Sequence, residues 1–166
     1  MVDYAMDLLG VTPDMKLYAV CETPKCAPDA LQVIHCTIGN NRLRVIPIGK
    51  FAITLNAATH EDTAKAVRVY VDLKKLKKFP IIDMWYANSP AFDKPTMKDA
   101  LQNEIFRAGR EILSFEHVQI TVSHKRKWES VTCPDCGETV PDYLAINGRC
   151  GGCGSMNYYE KNTDQE

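Results

Sequence analysis

The sequence has no long apolar run and no excess of either charge. It contains no apolar stretch of about 18 residues and no signal-peptide pattern, so we expect a cytoplasmic protein that does not enter a membrane. Its 20 Lys and Arg residues oppose 21 Asp and Glu residues, and the resulting net charge of -1 does not favour nucleic acid as a partner. Repeats, low-complexity segments, a complete acid–base pair and a catalytic triad are also absent from its pattern.

What the chain does have is cysteine. Two CxxC pairs, Cys133 with Cys136 and Cys150 with Cys153, are separated by residues 137–149. This spacing fits a single tetrahedral metal site, and four soft thiolates select zinc above the hard cations. Two disulfides are the rival interpretation, but they require an oxidising compartment. Because a closed four-cysteine site has no open coordination position for a substrate, we expect one structural zinc.

The apolar periodicity upstream of these cysteines predicts short helices and strands. Helical patterns cover 2–9, 28–36 and 96–115, the last opened by Thr96 with Asp99 as a capping box. Strand patterns cover 17–21, 42–46, 51–55, 66–71 and 118–122, and we expect 42–46 and 51–55 to form a hairpin. Since there is no regular βαβ rhythm, the pattern favours an α+β fold with a mixed sheet and packed helices.

The same patterns divide the chain into two domains. We expect an α+β core at 1–125, a short basic linker, and a zinc module of the treble-clef or zinc-ribbon type at 128–166. The module is too small to bury a hydrophobic core of its own, so a metal takes the place of that core.

The segment 21–39 and the later Gly-Lys pair resemble the FmdE-like family, the E-type subunits of formylmethanofuran dehydrogenase. Members share an ETxxCxxDAIQxxxxCTxG-like stretch, a hairpin containing Gly-Lys, and often a terminal four-cysteine module. The residues that carry the resemblance are Glu22, Thr23, Cys26, Asp29, Ala30, Gln32, Cys36, Thr37, Gly39, Gly49 and Lys50. The resemblance implies an α+β core with a treble-clef zinc finger and a homodimer. It also implies a link to the molybdenum or tungsten enzyme of one-carbon metabolism in methanogens.

The chain departs from the family pattern in two places. A His-x-His-x-x-Cys-Pro-Gly-like motif usual in members does not occur in it, and His35 stands where members tend to have glycine. If the absent motif supplies ligands or catalytic groups, the core site of this chain is either incomplete or rebuilt with other residues.

Five residues are our candidates for chemistry in the core. Cys26 precedes a predicted helix N-terminus, where the helix dipole favours a thiolate, and Cys36 is second. An unbroken helix holds these two sulfurs roughly 15 Å apart, so they share an ion only if the helix is short. Asp29, His35 and Lys50 are candidates for binding a substrate or a second, core metal. The alternatives are a helix-start role for Asp29, a surface position for His35, a solvated turn for Lys50, and plain burial for the cysteines.

Three classes of function remain open on the sequence. The leading one is a metal-binding accessory protein of the FmdE type, which predicts molybdenum or tungsten formylmethanofuran dehydrogenase subunits as partners. The second is a thiol- or metal-dependent enzyme that uses Cys26 and Cys36. The third is a zinc-ribbon protein that binds nucleic acid, for which the lysines at 74, 75, 77 and 78 are the only local support.

Overall fold

A five-stranded mixed sheet organises the first unit of the computed structural model, which describes residues 1–122, 127–157 and 159. The strands are β1 (Leu17–Cys21), β2 (Leu43–Val45), β3 (Ala52–Ala57), β4 (Thr63–Val71) and β5 (Leu113–Thr121). Their order in the sheet is β2-β1-β3-β4-β5; β2 runs parallel to β1, and the remaining neighbours are antiparallel. Helices join and cover these strands, so the predicted α+β class with a mixed sheet is confirmed.

The predicted hairpin between 42–46 and 51–55 is wrong. β1 lies between β2 and β3 and pairs with both of them. The connecting segment crosses the end of β1, where Ile46 N–H donates to the Cys21 carbonyl at 2.8 Å and Gly49 N–H donates to the Glu22 carbonyl at 3.0 Å. Strand propensity located both strands but carries no information on which neighbour each one takes.

The helices of this unit are α1 (Val2–Leu9), α2 (Ala27–Gln32), α3 (Leu73–Leu76), α4 (Pro80–Tyr86) and α5 (Lys94–Ala108). The prediction for α1 is confirmed, and Gly10 ends it in the left-handed conformation at φ 66°. The helix α2 ends at Gln32 and does not reach Cys36, contrary to our expectation.

Both ends of α5 also differ from the prediction. Its N-cap is Asp93, whose Oδ2 accepts a hydrogen bond from Thr96 Oγ1 at 2.5 Å, so Thr96 lies inside the first turn. The helix stops before Gly109, and Phe115 belongs to β5.

The main core lies between α1, α2 and one face of the sheet. Leu17, Leu31, Leu55 and Val67 are fully buried there. A smaller cluster joins α3, α4 and α5, with Glu104 among its buried residues. The Glu104 Oε2 atom accepts a hydrogen bond from the Ile82 backbone N–H at 2.8 Å, and thus caps the start of α4 from another helix.

The chain divides into two compact units, Met1–Ser123 and His124–Glu166. The second unit contains the antiparallel strands β6 (Ser130–Thr132) and β7 (Thr139–Pro141) and a 3-10 turn at Asp142–Leu144. Most of the predicted basic linker falls on residues 123–126, which lie outside the described residues. None of the helices in the described ranges has the length and apolar character that crossing a bilayer requires.

Candidate functional site

The second unit brings its four cysteines together. Cys133 and Cys136 lie in the turn between β6 and β7, where Gly137 has a φ of 74° and its N–H donates to the Cys133 carbonyl at 2.9 Å. A second turn carries Cys150 and Cys153. The four Sγ atoms all lie within 4.8 Å of one another. Local turns, and not a hydrophobic core, therefore position this site.

The spacing of the sulfurs fits a metal ion. Zinc–sulfur bonds of about 2.3 Å in a tetrahedron place neighbouring sulfurs roughly 3.8 Å apart. The Sγ atoms of Cys136 and Cys150 are separated by 3.8 Å. The Cys153 backbone N–H donates to Cys150 Sγ at 3.3 Å, as expected where a knuckle supports a thiolate. The donor set and its geometry suit a soft, tetrahedral ion.

Electrostatics within the cluster also call for a cation. Backbone hydrogen bonds from Cys150 and Cys136 lower the pKa of Cys133 to about 6. Hydrogen bonding with the sulfurs of Cys150 and Cys136 raises the pKa of Cys153 to about 12. The four sulfurs therefore do not all ionise at neutral pH on their own, whereas a bound dication stabilises all four as thiolates.

In the first unit, Cys26 lies exposed beside a groove. The groove has a volume of about 560 Å³ and is formed by α1, α2 and the start of β3, with mostly apolar lining such as Met6, Ile34 and Phe51. Cys26 is the N-cap of α2 and has a φ of 43°, a backbone conformation that side chains other than glycine rarely adopt. The surrounding backbone thus holds the thiol at the groove against a local conformational cost.

The second candidate thiol is in a different environment. Cys36 is fully buried in the main core, where its Sγ donates to the Leu17 carbonyl at 3.4 Å. Burial raises the pKa of Cys36 to about 11. The structure therefore does not bring Cys26 and Cys36 to one accessible surface, even though α2 is short. Cys21 is also fully buried, as expected for a core strand residue.

Asp29, His35 and Lys50 are all exposed. The Asp29 Oδ1 atom lies 3.5 Å from Gln32 Nε2 within α2. His35 has a φ of 60°, and its carbonyl accepts a hydrogen bond from Asn40 Nδ2 at 2.7 Å. This conformation explains why glycine suits the position. Within the described residues, the four-cysteine group is the one set of three or more metal-ligating side chains that meet closely, so a second metal in the core stays a prediction.

Sequence reasoning missed a buried ion pair. Glu22 is 8% exposed, and its two oxygens accept hydrogen bonds from Arg68 Nε at 2.5 Å and Nη2 at 2.8 Å. These bonds hold the pKa of Glu22 below its ordinary value, and the nearby Lys50 adds to the effect. The one signal in the sequence was an arginine among the alternating valines of β4.

Two lysines of the basic run are committed to local structure. Lys75 Nζ donates to the Leu113 carbonyl at 2.6 Å, and Lys77 Nζ pairs with Asp83 at 2.8 Å. The run is therefore divided between α3 contacts and solvent, which weakens the support for a nucleic-acid interface.

Comparisons with known proteins agree with this architecture. The chain matches the crystal structure of an FmdE-like protein of the tungsten formylmethanofuran dehydrogenase type from Syntrophus aciditrophicus with a TM-score of 0.77 and 30% identity, over 96% of this chain and 82% of that one. A probable S-adenosyl-L-methionine-binding protein of Archaeoglobus fulgidus is 35% identical over 82 residues, which are 45% of this chain. The matched region spans 22% of that relative's length. A family model described as "FmdE, Molybdenum formylmethanofuran dehydrogenase operon" matches residues 1–122, well over half of the chain, which therefore belongs to the FmdE family.

Proposed function

We propose that this chain is a metal-binding accessory protein of the FmdE type, which holds structural zinc and serves molybdenum or tungsten formylmethanofuran dehydrogenase in one-carbon metabolism and methanogenesis. The observation that carries the proposal is the cluster of four Sγ atoms within 4.8 Å, in a chain that belongs to the FmdE family. Cys133, Cys136, Cys150 and Cys153 are the ligands. Zinc bound there stabilises the turns of the second unit and leaves no open coordination position for a substrate.

An accessory role fits the first unit better than thiol catalysis by a cysteine pair. Cys26 borders an open groove, whereas Cys36 is sealed in the core with a raised pKa. Two thiols in such different surroundings do not act together on one substrate atom. The groove beside Cys26 remains the place where this unit would meet a ligand or a metal.

The protein works, in this proposal, as a homodimer in the cytoplasm. A reducing compartment keeps the four zinc-binding thiols available. Light scattering coupled to size-exclusion chromatography tests the dimer, and a single species of monomer mass at micromolar concentration would contradict it. Co-purification of the tagged chain with the catalytic subunits of formylmethanofuran dehydrogenase from a methanogen extract tests the partner. Recovery of the chain without those subunits would remove that part of the proposal.

Metal analysis by mass spectrometry tests the zinc assignment. We expect one zinc per chain in protein purified without added metal or chelator. Cys133→Ser should lose this zinc, and Cys26→Ala, a matched thiol removal in the other unit, should retain it. A second metal that disappears in Cys26→Ala would place a metal in the core. Preparations with no metal, or zinc retained in Cys133→Ser, would overturn the zinc site.

Binding of S-adenosyl-L-methionine is a second candidate function. The relative in Archaeoglobus fulgidus favours it, since that protein is named for this ligand. Calorimetric titration of the zinc-loaded chain with S-adenosyl-L-methionine tests the idea, and alkylation of Cys26 tests whether the groove is the site. The absence of binding heat at millimolar ligand would discard this candidate and leave the zinc assignment untouched.

A further inference from the structure

The sheet face that points away from α1 and α2 contains a hollow of about 150 Å³. Leu17 and Ala19 point into the main core, so Tyr18 between them points to the opposite face. Tyr18 pairs in register with Asn56 of β3, and both line the hollow. Their neighbours on this face form a surface that the main core does not use.

Curvature of the sheet closes the hollow on its far side. Residues 120–122, at the end of β5, line it together with Tyr18, although β3 and β4 lie between β5 and β1 in the sheet. Small side chains accommodate this curvature, because Ala64 and Ala66 alternate on the same face of β4 and are only 8% and 2% exposed. The hollow is therefore part of the sheet's own shape.

The wall on the β2 side is positively charged. Arg42 and Arg44 line the hollow on either side of Leu43, which points into the core, so both arginines belong to the hollow's face. Lys16 adds a third cation, with its Nζ 5.7 Å from the centroid of the Tyr18 ring. Among the described lining residues there is no Asp or Glu to balance these charges.

The pairing of Arg68 on this face makes the contrast clear. Arg68 bonds to both oxygens of Glu22 and also contacts Glu116 at 3.3 Å. Across the described parts of the chain, neither Arg42 nor Arg44 has a carboxylate within ion-pair distance. A guanidinium group presents a planar fork of donors that matches carboxylate and phosphate groups.

The backbone at this wall is held in place. Arg42 N–H donates to Asn40 Oδ1 at 3.0 Å, and the Arg42 carbonyl accepts from Ala19 N–H at 2.8 Å. On the floor, Asn56 is 3% exposed and its Nδ2 donates to the Ala57 carbonyl at 2.9 Å. Its amide oxygen is the group it offers to the hollow, as an acceptor for a ligand N–H or O–H.

We propose that this hollow binds a small organic anion, whose carboxylate or phosphate group is held by Arg42 and Arg44 and whose short apolar body lies against Val20 and Ile120. The volume matches a body of roughly benzene size, since engineered apolar cavities of about 150 Å³ accept that molecule. The site goes beyond the proposed accessory function, uses none of the zinc ligands and is separate from the Cys26 groove.

Nuclear magnetic resonance titration of the ¹⁵N-labelled, zinc-loaded full chain tests the site. The probes are benzoate, phenyl phosphate and the neutral benzamide. We expect saturable shifts at the backbone amides of Arg42, Arg44 and Asn56 with either anion at up to about 20 mM, and binding of benzamide at least about tenfold weaker. The stronger of the two anions identifies the preferred head group.

Charge-matched variants separate a built site from general attraction. Arg42→Gln and Arg44→Gln should each weaken anion binding about tenfold, with their remaining spectra unchanged. Lys65→Gln removes the same charge from the opposite face of β4 and should bind as the parent does. Equal binding of benzamide, equal loss in Lys65→Gln, or no saturable shift would overturn the site. Shifts at these amides that follow protein concentration, and not probe concentration, would assign the face to a second copy and also overturn it.

Discussion

Glu22 and Arg68 are 46 positions apart in the chain, yet the Glu22 carboxylate and the Arg68 guanidinium form two parallel hydrogen bonds, at 2.5 Å and 2.8 Å. The pair joins the end of β1 to the middle of β4 across β3. It lies within the stretch that identifies the family and contributes an electrostatic element to the stability of the first unit.

The first prediction concerns acid stability. Hydrogen bonds from Arg68 lower the pKa of Glu22 in the folded state. Its stabilising contribution is therefore complete above the unfolded pKa of about 4.3 and is lost as the pH falls through the lower folded pKa. Urea unfolding from pH 7 down to about pH 3 should show this loss in the parent and a weaker dependence in Glu22→Gln. At pH 7 we expect Glu22→Gln to cost about 1–3 kcal/mol.

Glu116→Gln is the matched control for that prediction. Glu116 also contacts Arg68, but its side chain is 53% exposed, so we expect a loss below about 1 kcal/mol. Equal losses in the two variants would mean that burial of the Glu22 pair has no special role.

Thiol accessibility gives the second prediction. Iodoacetamide should modify Cys26 quickly in the zinc-loaded native chain, whereas Cys21 and Cys36 should react only through unfolding, because both are fully buried. Peptide mapping by mass spectrometry measures the three rates, and Cys26→Ser should abolish the fast phase. Comparable rates at the three sites would contradict the described burial. A Cys26 rate far above that of free cysteine would support the thiol-enzyme alternative.

The third prediction tests the backbone at His35. Its φ of 60° lies in the left-handed region, which glycine adopts without steric strain. His35→Gly should therefore raise the free energy of unfolding by about 0.5–1 kcal/mol, measured by urea denaturation. His35→Ala removes the same imidazole but keeps a Cβ, so no gain is expected from it. Identical effects of Gly and Ala would show that the side chain, and not the backbone, determines stability here.

The fourth prediction separates the two units. Cys133→Ser, or treatment with a chelator, should unfold the second unit, since structural zinc contributes on the order of 10 kcal/mol to such modules. The thermal transition of the first unit, followed by circular dichroism, should persist within a few degrees. Loss of that transition together with the zinc would show that the first unit depends on the metal.

Local patterns predicted the elements whose cause is local. The periodicity of α1 and the alternation in β1 were sufficient, and the CxxC spacing anticipated sulfurs that meet within 4.8 Å. Pairing depends on distant residues, so the neighbours of β2 and β3 were predicted wrongly. The start of α4 shows the same limit, because its capping carboxylate comes from Glu104 on another helix.

The candidate site in the first unit was harder to predict for the same reason. Cys26 and Cys36 have similar sequence surroundings, and only the packing of the sheet decides that one is exposed and the other buried. The hollow beside Arg42 and Arg44 depends on curvature that no single strand reveals. Sequence spacing therefore locates a metal cluster built from turns more readily than a cavity built from a sheet.

The segment that crosses the end of β1 also bears on how this chain tolerates changes in length. Ile46 and Gly49 each return a backbone hydrogen bond to the end of β1, at the Cys21 and Glu22 carbonyls. An inserted or deleted residue between these two anchors would shift one of them out of reach. Variation in loop length among homologues should therefore avoid positions 46–49 and accumulate in the largely exposed connection at 87–91, where no strand end depends on the count.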